Sequence, residues 1–187
     1  LIFEQLSKVE TTIPLVIMSY FNPILHFGLD RFLENCNRVN VAHVIIPDIS
    51  LEVYEKLYRS SFEKFGITLC FLITPKTPSE RISKMSTLSS DGFLYLVSSS
   101  MTTGTSVLRA ESRGTVNLRP DTMDRIRAAA GDTPLMIGFG IQSREDVLDV
   151  HKKANGAIIG SAYIRALSEG RAQEFISSVS VPELQNP

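Results

Sequence analysis

The chain has little that would tie it to a membrane, a nucleic acid, a metal or an oxidising compartment. Its longest apolar stretches run to about 7 residues, far short of the ~20 that a membrane-spanning helix needs. Lysine and arginine together number 19 against 20 acids, for a formal net charge of −1. Basic residues form no run, which argues against a nucleic acid or an acidic polymer as partner. Cys36 and Cys70 are the two cysteines, each inside an apolar-periodic segment. They read as buried thiols of a cytosolic protein, not as a disulfide or a metal pair. His26, His43 and His151 share no ligand spacing, so no metal is expected. No basic leader stands before Leu1-Ile-Phe-Glu, so no signal peptide is expected.

What the sequence does have is a repeat. At 187 residues and 43% apolar it can bury a real core. Short, nearly continuous apolar runs recur at Pro14–Tyr20, Ala42–Pro47, Ile67–Ile73, Gly92–Ser98, Pro134–Phe139 and Gly156–Gly160. Runs rich in Ile, Val and Leu are what strands buried on both faces of a parallel sheet require. Between them lie amphipathic stretches. Leu29, Phe32, Leu33 and Cys36 make one helical stripe, and Leu51, Tyr54, Leu57 and Tyr58 a second. Ile82, Met85 and Leu88 make a third, with Ser79 as N-cap. Segments 122–130 and 143–153 follow, the latter with Ser143 as N-cap and Glu145 and Asp146 in its first turn. Strand then helix, repeated, is a βα array.

A full (β/α)8 barrel takes roughly 250 residues, and six strands are legible here. Ile2, Phe3, Leu6 and Val9 are apolar at helical spacing with no cap before them. The expectation is an α/β fold of the (β/α)8 TIM barrel type lacking roughly its first two βα units. Residues 1–187 would then be a single domain, the C-terminal three quarters of a barrel. The rival is a complete six-strand doubly wound sheet.

The last two strands point to a ligand. Gly156-Ala-Ile-Ile-Gly-Ser-Ala162 is an apolar strand running into a helix at Gly160-Ser161. The first N–H groups of a helix lack internal partners and attract an anion. Leu135-Met-Ile-Gly-Phe-Gly-Ile141 is a second strand ending in glycine. Two such ends in succession match the phosphate site of many barrels. Gly138-Phe-Gly-Ile-Gln is not a dinucleotide fingerprint, because Ser143 stands where the third glycine belongs. The long Ser98–Leu118 segment follows a strand end, where a lid that excludes water is expected. Arg109, Arg113 and Arg119 read as solvated charges.

The ordered set Pro14-Leu-Val-Ile-Met-Ser-Tyr-Phe-Asn-Pro23, Ile46-Pro-Asp-Ile-Ser-Leu-Glu52, Gly92-Phe-Leu-Tyr-Leu-Val-Ser98, Thr103-Gly104, Ile137-Gly-Phe-Gly-Ile141 and Gly156-Ala-Ile-Ile-Gly-Ser-Ala162 resembles the tryptophan synthase alpha subunit family. The resemblance implies a lyase that cleaves indole-3-glycerol phosphate to indole and glyceraldehyde 3-phosphate by a retro-aldol reaction. It implies that Gly104, Gly140, Gly160 and Ser161 hold the phosphate, and that Tyr20, Ile45, Tyr95 and Phe139 line the indole pocket. Thr103 would tie the closed lid down. By their residues alone, Tyr20 and Tyr95 also fit as ordinary barrel side chains.

Asn22, Pro47, Asp48 and Ser50 match surfaces that face a beta subunit in an alpha2beta2 assembly. Pyridoxal phosphate would belong to that partner, and this chain would need no cofactor of its own. The catalytic glutamate and aspartate of the family would lie upstream of Leu1, leaving this chain alone inactive. Ser99 stands where arginine is common, and Met101-Thr102 for a Gly-Val pair. Two alternatives stay open: another phosphate-binding barrel enzyme, or a non-catalytic activating subunit.

Overall fold

The structure is a computed structural model and describes residues 2–97, 119–138 and 140–181. The chain divides into two compact units. The first is Leu1–Leu72 with Lys84–Leu94, and the second is Ile73–Ser83 with Tyr95–Pro187.

In the first unit, α1 (Ile2–Leu6) leads to β1 (Leu15–Met18), α2 (Phe21–Phe27), α3 (Leu29–Arg38) and β2 (Val41–Ile45). A continuous helical run follows: α4 (Leu51–Val53), a π-helical turn (Tyr54–Tyr58) and α5 (Arg59–Phe65). It ends at Gly66, whose φ of +66° is the left-handed cap conformation that glycine adopts without steric cost. β3 (Thr68–Leu69) then joins β2. The sheet order is β1-β2-β3, with both pairings parallel. Its core is Leu33, Cys36, Val41, Val44, Phe62 and Leu69, all under 2% exposed. Tyr54 meets Phe62 and Phe71 edge-on at 5.2 and 5.3 Å, the arrangement that the ring quadrupoles favour.

In the second unit the sheet order is β4-β5-β6-β7, with strands Leu72–Ile73, Leu94–Val97, Leu135–Gly138 and Gly156–Ile158. Helices α6 (Ser79–Leu88), α7 (Pro120–Ala130), α8 (Arg144–His151), α9 (Ser161–Ser168) and α10 (Ala172–Val179) accompany them. Ile73, Ile82, Leu96, Ile126 and Ile137 are fully buried. Fully burying each such side chain contributes about 1.5–3 kcal/mol. No helix among the described residues is long and apolar enough to cross a membrane.

Strand order follows chain order in both sheets. A doubly wound sheet reverses its order at a switch point, whereas a barrel winds in one direction. Within each sheet the strands thus follow one another in the sequential order that a barrel uses.

Several local expectations need correction. Ile67–Ile73 is not one strand: Thr68–Leu69 and Leu72–Ile73 are separate and belong to different sheets. The second stripe holds at Leu51 and Tyr54 but fails at Leu57, which is 58% exposed. The reason is the π turn. Arg59 N–H donates to the Tyr54 carbonyl five residues back, and that wider turn shifts the following side chains off the α-helical stripe. Ser79 is the first residue of α6 rather than its cap, and its hydroxyl accepts from Arg125 at 3.3 Å. At the chain's start only Phe3 of the expected stripe is buried, against Phe27 and Phe32, while Ile2 and Val9 are about half exposed.

Both thiols are free and buried. Burial pushes Cys36 up to about 12 and Cys70 up to about 11, because the thiolate would lose its hydration. Neither should react with a thiol reagent at pH 8 in the native chain, and both should react after denaturation. The sign follows from linkage. The folded state holds these protons more tightly, so the contribution is full below the unfolded thiol's value of ~8.5 and is lost as pH rises toward the folded values. Urea titrations across that alkaline window check it.

Candidate functional site

In the first unit the pairings Met18↔Ile45 and Ser19 N–H to the Ile45 carbonyl (3.1 Å) bring the C-terminal ends of β1 and β2 side by side. Tyr20 leaves β1 as the N-cap of α2 and is 67% exposed. Ile45 ends β2 and is buried at 5%. Its loop continues through Pro47 to Ser50, whose hydroxyl accepts from Val53 N–H at 3.3 Å and starts α4.

The two loops are joined. Tyr20 offers no side-chain cap to α2. Instead the Asp48 carboxylate accepts the Phe21 N–H at 2.8 Å from across the sheet edge. This places negative charge at the positive end of α2 and holds Tyr20 and Asn22 on either side of the bond. Asp48 thus has a helix-start role, but for α2 rather than for the helix of its own loop.

In the second unit the site is set by register. Asn155 brackets Leu135: its N–H donates to the Leu135 carbonyl, and its side-chain oxygen accepts from Leu135 N–H, each at 2.9 Å. The parallel ladder that follows is Met136↔Gly156, Ile137↔Ala157 and Gly138↔Ile158. Gly140 and Gly160 each stand two residues past the last rung. They are therefore corners at the same end of neighbouring strands. Gly140 has φ +71°, a conformation that side chains with a Cβ adopt only under strain. Its loop is held by a capping box: Ser143 Oγ accepts from Asp146 N–H at 3.2 Å, while the Asp146 carboxylate accepts from Gln142 and Ser143 N–H at 2.9 and 3.0 Å. The sequence had pointed to a cap here, and Asp146 supplies its acidic half.

Gly160 is the N-cap of α9 and Ser161 its first residue, both exposed. A Cβ on Gly160 would meet nothing within 4 Å. No neighbouring described atom explains why the side chain is missing, and the space in front of the corner is open. The opposite holds at Gly138. A Cβ there would stand 2.4 Å from the Tyr95 hydroxyl and 2.6 Å from its ring. Tyr95 lies in β5, is 8% exposed, and its phenol is raised above the usual range by burial.

Tyr20, Ile45, Asn22, Pro47, Asp48 and Ser50 thus gather at one sheet end of the first unit. Tyr95, Gly140, Gly160 and Ser161 belong to the second. Thr103, Gly104, Phe139 and the Ser99, Met101 and Thr102 departures lie outside the described residues. Two contributors were missed in the sequence. Gly138 was visible there only as a glycine inside an apolar run, the usual mark of a close approach. Asn155 carried no signal beyond its place before a strand. No group of three or more potential metal ligands occurs among the described residues.

A family model described as tryptophan synthase alpha chain matches residues 2–185. The tryptophan synthase alpha chain of Flavobacterium psychrophilum is 41% identical over 182 residues, which is 96% of this chain and 69% of that relative. Tryptophan synthase subunit alpha from Campylobacter jejuni matches with a TM-score of 0.74 at 29% identity, covering 95% of this chain and 68% of its own. A tryptophan synthase structure from M. tuberculosis matches at 0.70 and 26%, covering 87% of this chain and 58% of that one. The chain thus spans between 58% and 69% of the length of these relatives.

Two substitutions test the supports. Gly138→Ala should cost about 1–3 kcal/mol, because the rigid Tyr95 ring must shift within a packed sheet; a fall in the urea midpoint measures it. Asp48→Ala should cost about 1 kcal/mol as a lost helix cap, and Asp48→Asn, which keeps an acceptor, should cost less. Equal losses for the two Asp48 variants would mean that the hydrogen bond contributes nothing.

Proposed function

The chain belongs to the tryptophan synthase alpha chain family, and on that premise we propose that it binds indole-3-glycerol phosphate and takes part in its retro-aldol cleavage to indole and glyceraldehyde 3-phosphate. In that reaction the indole ring carbon gains a proton and the hydroxyl on the adjoining glycerol carbon loses one. The carbon–carbon bond between them breaks as the aldehyde forms. The general acid and base are not assigned among residues 1–187. The residues of this chain bind and orient the substrate.

The observation that carries the reading is the β6–β7 register, which sets Gly140 and Gly160 at the same end of adjacent strands. Backbone N–H groups of the first turn of α9 and the Ser161 hydroxyl are donors of the kind a phosphate needs. The open space at Gly160 lets the anion approach the main chain. Gly104 would add a further amide from the lid, and Thr103 would hold that lid closed. Tyr95 and Phe139 would give flat apolar contact to the indole ring.

Asn22, Pro47, Asp48 and Ser50 would face a beta subunit, and the Asp48–Phe21 bond would present Asn22 to it. Pyridoxal phosphate belongs to that partner in this reading, and no cofactor is assigned to this chain. A cytoplasmic location accords with this reading.

Ser161→Asp separates binding from folding. A carboxylate at the first helical position favours the helix dipole but repels a phosphate. Calorimetric titration with indole-3-glycerol phosphate should show wild-type binding weakened about tenfold or more in the variant, with thermal stability unchanged or raised. Equal affinity in the two proteins would remove α9 from the phosphate site.

A further inference from the structure

The first unit holds a cavity of about 350 Å³ that none of the foregoing uses. It lies beneath the start of β3, where Gly66, Ile67 and Thr68 enter the sheet. Tyr20, Ile45 and Asp48 sit at the other end of this parallel sheet, so the cavity is distinct from them.

The π turn builds one wall. Its i→i+5 bond runs from Arg59 N–H to the Tyr54 carbonyl, and both residues line the cavity. π turns of this kind are concentrated at functional sites in proteins generally. Arg59 Nε donates to Glu63 Oε1 at 2.6 Å, and that bond leaves the terminal nitrogens of the guanidinium outside the pair. Ser90 and Asp91 also line the cavity. The Asp91 main-chain carbonyl is engaged by His43 Nε2 at 2.7 Å, which fixes the backbone that carries its carboxylate. Gly92 fixes it further: a Cβ there would stand 2.8 Å from Cys70 Sγ and 3.1 Å from the His43 ring.

The charges select the ligand. The lining carries one guanidinium and two carboxylates, Glu63 and Asp91, so a phosphate dianion is disfavoured. The lining is mostly polar, with hydroxyls from Thr68 and Ser90, so a bare aromatic ring gains little. A molecule carrying both charges and hydrogen-bonding groups satisfies both sides. We propose that this cavity binds a free α-amino acid as its zwitterion, with the carboxylate on Arg59 and the ammonium on Asp91. The volume lies in the range of small-molecule sites, and the position is at the sheet end opposite to the strand ends where barrels carry out chemistry.

The test uses the whole chain, with L-serine as probe and glycerol and inorganic phosphate as controls. Amide resonances are followed by heteronuclear NMR at millimolar concentrations. L-serine should shift residues 66–68 and 87–91, and the controls should not. Asp91→Asn and Arg59→Gln should each weaken that response about tenfold or more, the loss expected when one charge-assisted contact goes. Both positions are exposed, and the unchanged amide spectrum outside the cavity reports that each variant is folded. Ser161→Asp should leave the response intact, which keeps this site separate from the phosphate reading. Absence of a serine-dependent shift, a shift in both charge variants undiminished from wild type, or the same shift with phosphate would each overturn the proposal.

Discussion

The parallel register between β6 and β7 is the constraint on which the candidate site depends. A slip of one residue in a strand turns every side chain to the opposite face. It would also separate the two glycine corners along the strand axis by about 3.3 Å, the rise of one residue. The structure guards against this at the other end of the ladder. Asn155 makes two hydrogen bonds to the backbone of Leu135 and so pins the first rung. What Asn155 does at one strand end determines what Gly140 and Gly160 can do at the other. The link runs through three rungs of main-chain pairing and needs no side-chain relay.

The glycines of this chain answer to different physical demands. At Gly138 the demand is internal: the Tyr95 ring occupies the place of a side chain. At Gly140 it is conformational, since the turn out of β6 runs at positive φ. At Gly160 no described atom would meet a side chain, and φ is negative. Close approach of a ligand to the backbone is one reason for a glycine at such a corner. An anion seated against the backbone is such a ligand, and it explains why Gly160 is followed by a hydroxyl residue and a helix start.

Much of this was legible in the sequence, because long-range order here is built from local signals. Five of the six apolar runs are strands, and Leu29, Phe32, Leu33 and Cys36 lie on α3 as their spacing requires, the last three of them buried. Ser143 announced α8 from its residue type alone. The failures share a different character. Ile67–Ile73 reads as one strand because hydrophobicity cannot show where a chain leaves one sheet for another. Leu57 reads as core because periodicity assumes 3.6 residues per turn, and the π turn breaks that assumption. Asp48 was visible as a strand-end acid, but its partner stands 27 residues earlier in the chain. A contact that distant leaves no trace in local pattern.

These failures fall where the fold is doing something other than packing. The π turn is the clearest case. The apolar stripe of an unbroken α-helix over 51–65 would include Leu57. The structure instead leaves Leu57 at 58% exposure, at a cost in apolar burial of the order of 1 kcal/mol. In return, the wider turn ties Arg59 directly to the Tyr54 carbonyl and places both on one wall of a polar cavity, with Glu63 one α-helical turn further on. Packing alone gives no reason for that exchange, since Tyr54 already finds Phe62 and Phe71. A charged pair held over a cavity whose lining also carries Asp91 does give one. The departure from helical regularity and the charges of both signs in the lining are separate features of the chain, and a ligand bearing both signs accounts for the two together.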